Sequence, residues 1–133
     1  MTAATGTRTW VLRFPAPAEW LSANKRYKRR PDVAIRAWRQ ATALHARSAQ
    51  LPRDLQQISV YATLHFTNDR RRDAHNYMAV VKCCVDGLVD YGLIPDDRRE
   101  HLLWTAITEG DKVPAGPLKA LGEIELRIVA EAS

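Results

Sequence analysis

The sequence predicts an α+β domain in which a small mixed β-sheet carries two main helices on one face, in the order β-α-β-α-β-β. Three observations lead there. Ile58–Phe66 alternates apolar and polar residues without a break. Two longer stretches, before and after it, repeat apolar residues at helical spacing. Prolines fall at the joints between these stretches and not inside them.

Taken in order, Thr9–Phe14 places Trp10, Leu12 and Phe14 on one face and reads as the first strand. Pro15-Ala16-Pro17 ends it, because proline cannot continue a hydrogen-bonded ladder. Ser22–Arg30 is polar, basic and irregular, a loop. Pro31-Asp32 opens a helix that should run to about Gln50, in which Ile35, Trp38 and Thr42 repeat at helical spacing and Leu51-Pro52 is the stop. In the next strand Ile58, Val60, Ala62, Leu64 and Phe66 point one way, and Ser59, Tyr61, Thr63 and His65 the other. Thr67–Asp73 is an arginine-rich connection. A second helix is expected over His75–Tyr91, burying Tyr77, Val81, Cys84 and Leu88 and ending at Gly92. After the turn Pro95-Asp96-Asp97, His101–Thr108 reads as a strand. A loop over Gly110–Gly116 follows, and Gly122, Ile124, Leu126 and Ile128 mark the inner face of the last strand.

A chain of 133 residues suits a single domain spanning residues 1–133. Its 46% hydrophobic and 26% charged residues belong to a folded chain and argue against disorder. No apolar run is long enough to span a membrane, and Met1–Thr9 lacks the apolar core of a secretory signal, so a cytoplasmic setting without membrane partners is expected. Cys83 and Cys84 are adjacent, and neighbours on a helix diverge by about 100°, so no internal disulfide is expected. Without further Cys/His spacing they also lack the pattern of a zinc site.

The net charge of +5 matters less than its distribution. Lys25, Arg26, Lys28, Arg29 and Arg30 cluster in the first loop, and Arg70, Arg71 and Arg72 precede the second helix. Acids bunch between and after them, at Asp73, at Asp86 and Asp90, and at Asp96 and Asp97. Cations around an acidic centre suit a nuclease, where cations hold phosphates and carboxylates hold metal. Each piece also has an ordinary reading. Asp73 can be a helix N-cap, Lys82 and Asp86 a solvated ion pair, Asp96-Asp97 a turn. However, His75, Ala79, Lys82 and Asp86 follow one another at four, three and four residues, one stripe of a helix. Mg²⁺ takes one or two carboxylates and completes its shell with water and phosphate oxygens, which Asp73 and Asp97 could supply. Lys82 could then offset charge developing on a phosphate. Residues and spacing carry the reading as far as a metal-dependent phosphodiesterase.

The run Arg72-Asp73-Ala74-His75-Asn76, then Lys82, Asp86-Gly87-Leu88, Gly92 and Asp96-Asp97, resembles the signature of RusA-type Holliday-junction resolvases. Phe14-Pro15 followed by Asn24 and Tyr27 resembles the same family's opening strand, proline turn and loop, so the likeness spans roughly Trp10 to Ile128. The resemblance implies a crossover junction endodeoxyribonuclease of DNA recombination and repair. Such an enzyme acts as a homodimer, binds branched DNA (four-way junctions) by shape, and makes paired symmetric cuts with Mg²⁺ or Mn²⁺. It implies metal-site roles for Asp73, Asp96 and Asp97, an active-site lysine in Lys82, and positioning roles for Asn76 and Asp86. The loop Asn24, Lys25, Arg26, Tyr27, Lys28, Arg29 and Arg30, with Arg70, Arg71 and Arg72, would contact the DNA backbone. A phage or prophage setting fits the family.

The sequence departs from the family pattern at His75, which stands where a second acid is usual. Imidazole ligates Mn²⁺ and other transition ions better than Mg²⁺, or it can relay a proton, or the change can weaken catalysis. Five residues also separate Asn76 from Lys82, longer than the family's shortest spacing by about one helical turn, which returns the lysine to nearly the same face. Two other readings stay open: a junction- or single-strand-DNA-binding protein with weakened catalysis, and a small basic RNA-associated domain in which the aspartates only cap helices and close turns.

Overall fold

The computed structural model describes residues 6–23 and 31–130. Four strands, β1 (Arg8–Pro15), β2 (Ile58–His65), β3 (Leu102–Glu109) and β4 (Glu123–Ala130), join two helices, α1 (Asp32–Ser48) and α2 (Met78–Tyr91). The sheet is mixed, in the order β1-β4-β2-β3. β4 is antiparallel to both β1 and β2, whereas β2 and β3 run parallel. Parallel neighbours need a crossover, and α2 supplies it.

The strict alternation of β2 holds because the sheet buries one face only. Leu12, Leu126, Ala62 and Ile107 form one row across the four strands, and all are buried. The next row, Val11, Arg127, Tyr61 and Ala106, lies on the other face, where Arg127 stacks its guanidinium 4.6 Å above the Tyr61 ring. Trp38, Ala46, Val81, Cys84 and Leu88 of the two helices join the buried rows in a continuous core. An α+β domain with both helices on one side of the sheet is therefore the observed architecture.

Several boundaries differ from the sequence expectation. The second helix begins at Met78, because Ala74–Tyr77 is a tighter 3-10 turn closed by the Asp73 carboxylate, which accepts a hydrogen bond from the His75 backbone. α1 stops at Ser48, two residues short of Gln50. Gly92 does end α2, at φ 98°, a left-handed geometry that favours glycine. The buried row of α1 is Ala34, Trp38, Thr42 and Ala46, and Ile35 stays 39% exposed. Ile35 lies beside that row and lines a hollow described below.

The two helices meet closely at Gly87. A methyl there would lie 2.4 Å from the Arg39 carbonyl oxygen and 2.8 Å from the Thr42 Cβ. Gly87→Ala gains about 1 kcal/mol of helix propensity, but the overpacking against α1 backbone costs about 1–3 kcal/mol or more. A net loss of stability in urea denaturation is the expected result, and an unchanged or raised midpoint would contradict the close approach. Cys83 and Cys84 are free and buried, and burial pushes the Cys84 thiol up to about 12, where it is no nucleophile.

Candidate functional site

Lys82 lies between two acidic side chains. Its Nζ donates to Asp86 Oδ1 at 2.8 Å and to Asp97 Oδ2 at 2.6 Å. Asp86 lies one turn further along α2, and Asp97 comes from the turn between α2 and β3. Both carboxylates raise the Lys82 pKa, Asp86 first, and the Lys82 hydrogen bond in turn holds Asp97 below the ordinary carboxylate value. The Lys82 side chain is 60% exposed, so these pairs contribute little to folding, each at most about 1 kcal/mol. The arrangement is a solvent-facing cation held between two acids.

Asp96, the neighbour of Asp97, has a different task. Its carboxylate accepts from the Arg98 backbone at 2.9 Å and from Arg98 Nε at 3.1 Å, and the Arg98 side chain is the main reason its pKa is lowered. It closes the turn that presents Asp97. Asp90 is likewise structural: Arg39 Nη2 donates to its Oδ1 at 2.8 Å, tying α1 to α2.

Asp73 and His75 stand at the other end of the α2 row. Asp73 caps the 3-10 turn through a 3.0 Å bond from the His75 backbone, and His75 Nδ1 lies 3.6 Å from the same carboxylate. Both side chains are open to solvent. No hydrogen bond or ion pair joins them to Lys82, Asp86 or Asp97 among the described residues. Lys82 thus links Asp97 to Asp86, while Asp73 makes its contacts with His75. Among the described residues no three His, Cys, Asp or Glu side chains converge into a cation cage. The donor chemistry still fits Mg²⁺ or Mn²⁺, since a hard cation needs only one or two carboxylates before water and phosphate complete its shell.

The three arginines also divide. Arg72 is 9% exposed in its side chain, stacks 3.9 Å over Phe66, and donates to Glu109 at 3.2 Å and to the Arg70 carbonyl at 3.1 Å. It braces the connection between β2 and α2 and has little surface left for a phosphate. Arg70 and Arg71 are exposed, and their guanidinium groups make no hydrogen bond or ion pair among the described residues. They line a cleft of about 680 Å³ together with Trp20, Phe66, Asp73 and Asn76. Trp20 is packed between Trp38 and Phe66, with ring centroids 5.0 and 4.9 Å away, and its indole N–H donates to the Leu121 carbonyl. The basic loop Asn24–Arg30 lies outside the described residues.

A second hollow, of about 380 Å³, opens beside the cleft, with Leu21, Ile35, Met78, Ala79, Lys82 and Asp86 among its walls. Ser22 and Asn76 line both. The row His75, Ala79, Lys82, Asp86 predicted from helical spacing therefore does share one surface. Sequence reasoning missed the hollow and the brace formed by Glu109 on Arg72. Glu109 carries no local signal, since its partner is distant in the chain. The exposure of Ile35 was detectable in principle, because Ala34, Trp38, Thr42 and Ala46 already complete a buried row. No protein-family model and no curated protein matches the sequence.

Proposed function

We propose that the chain is a metal-dependent, structure-selective endonuclease that resolves four-way DNA junctions by paired cuts, as its resemblance to RusA-type resolvases implies. The observation that carries the reading is the joining of Lys82, Asp86 and Asp97 to an arginine-lined cleft through the shared walls Ser22 and Asn76. Cations that can hold a phosphate backbone thus lie next to carboxylates and an ammonium suited to phosphodiester chemistry.

In this reading Arg70 and Arg71 engage backbone phosphates and set the position of the strand without reading bases. Lys82 places a positive charge beside the scissile phosphate, where negative charge accumulates in the transition state. Asp86 orients the Lys82 ammonium through their 2.8 Å bond. Asp97 and Asp86 would hold a divalent cation at this end of the row, with Asp73 and His75 at the other. Mg²⁺ or Mn²⁺, when bound, supplies Lewis acidity and a more acidic water. A homodimer would present two such surfaces to the two equivalent strands of a junction. Val11 and Trp104, exposed on the sheet face away from the helices, offer apolar surface for a second copy. Among the described residues no helix is long and apolar enough to cross a membrane.

The test is incubation of a synthetic four-way junction with Mg²⁺, with Mn²⁺ or without metal, beside Asp73→Asn. Paired nicks near the crossover, dependent on metal and reduced at least about 100-fold in the variant, are expected. Cleavage unchanged in Asp73→Asn would remove that residue from the chemistry. His75, standing where the family's second acid is usual, favours one second reading, a junction-binding protein that has lost catalysis. It predicts tight, structure-selective binding with no nicks under either ion.

A further inference from the structure

We infer that the hollow between α1 and α2 is a pocket for a single unpaired nucleobase, displaced from the DNA strand whose backbone lies in the neighbouring arginine cleft. The inference rests on the endonuclease reading and extends it to a ligand subsite.

The walls are aliphatic and thioether: Leu21, Pro31, Ile35, Met78 and Ala79. Ile35 is the telling residue, since it is 39% exposed directly beside a fully buried row. Ser22, His75, Asn76, Lys82 and Asp86 add polar groups to the lining. The Asn76 side-chain amide makes no hydrogen bond among the described residues, and Lys82 and Asp86 line the same hollow. A ligand that satisfies this surface has an apolar body, an edge bearing both donors and acceptors, and an anionic connection towards Arg70 and Arg71. A nucleotide in a strand has all three. Its base presents two broad apolar faces to the walls, and its edge matches an amide that both donates and accepts. Its phosphates run on towards the cleft, which shares Ser22 and Asn76 with the hollow. A fully paired duplex cannot fill the pocket without extruding a base, whereas a junction or a mismatch offers one at lower cost. The pocket therefore couples recognition of branched DNA to the position of Lys82.

The experiment uses the full chain and four-way junctions carrying 2-aminopurine at single positions flanking the crossover, with chelator present so that no strand is cut. Wild type should bind and raise the fluorescence of at least one position several-fold, as unstacking does. Ala79→Phe and Ile35→Trp fill the hollow from opposite walls at exposed positions and leave the arginine cleft intact. Both should abolish the rise and the preference for junction over duplex, with duplex affinity and thermal midpoint unchanged. Ala79→Ser, which leaves the space open, should behave as wild type. If wild type binds junctions without any rise, or if the two filling variants keep it, the base pocket is overturned and the endonuclease reading survives. If wild type does not bind branched DNA at all, both are overturned.

Discussion

Lys82→Met is expected to lower junction cleavage by about 100–1000-fold, the usual consequence of removing one group that stabilises transition-state charge, while junction affinity stays near wild type. The methionine keeps the length of the stem and removes only the ammonium. Folding should hardly respond. The Lys82 pairs with Asp86 and Asp97 are solvent-facing, and exposed pairs of this kind are worth at most about 1 kcal/mol. The loss of activity at nearly constant thermal midpoint separates a chemical role from a structural one. Lys82→Arg should not restore wild-type rates, because a planar guanidinium cannot take the place of a compact ammonium between two carboxylates. A titration gives an independent reading of the same contact. Lys82 holds the Asp97 carboxyl below its ordinary value, so Asp97 keeps its charge as pH falls through the usual carboxylate range. In Lys82→Met that carboxyl should take up its proton at higher pH, visible by NMR of the Asp97 side chain. Unchanged cleavage in Lys82→Met would end the catalytic assignment, whatever the titration shows.

Trp38→Ala should cost about 3–5 kcal/mol, the range for removing a large buried aromatic ring. Trp38 is fully buried, its indole N–H donates to the Glu19 carbonyl at 2.9 Å, and its backbone carbonyl accepts from the Thr42 hydroxyl at 2.9 Å. Truncation would leave a cavity between α1 and the sheet and an unpartnered carbonyl at Glu19, and each loss adds to the other. A Trp38→Phe variant refills most of the volume without restoring the hydrogen bond, so it should recover more than half of the stability. The effect should extend to the surface. Trp20 packs on Trp38 and on Phe66, and Trp20 and Phe66 both line the arginine cleft. DNA affinity should therefore fall at temperatures where Trp38→Ala is still folded. Urea unfolding followed by circular dichroism measures the first effect, and a loss under about 1 kcal/mol would contradict the packing described.

The elements that were legible in the sequence are those whose patterns are local. β2 alternates because one of its faces is buried by helices and the other is not, and a two-residue period records that directly. Gly92 marked the end of α2 because a left-handed residue is needed there. The cap at Asp73 and the Lys82–Asp86 pair lie within one turn of their partners, so spacing alone exposed them. The stripe His75, Ala79, Lys82, Asp86 was visible for the same reason. Boundaries were less so: the 3-10 turn at Ala74–Tyr77 is closed by the Asp73 cap and by backbone bonds from Asn76 and Met78, which periodicity does not record.

By itself, then, the amino-acid order determined the α+β class, the helical row that bears Lys82, and the basic and acidic clusters around it. Only the tertiary structure decided which charges meet. It turned Asp97 towards Lys82 and gave Asp96 to Arg98, although the two acids are adjacent and chemically identical. It withdrew Arg72 beneath Glu109 and Phe66 while leaving Arg70 and Arg71 in the cleft, and it left Ile35 at the edge of an open hollow. The physical reason is range. Periodicity and capping act over a turn or two of chain, whereas an ion pair or a pocket wall forms wherever packing brings distant segments within a few ångströms.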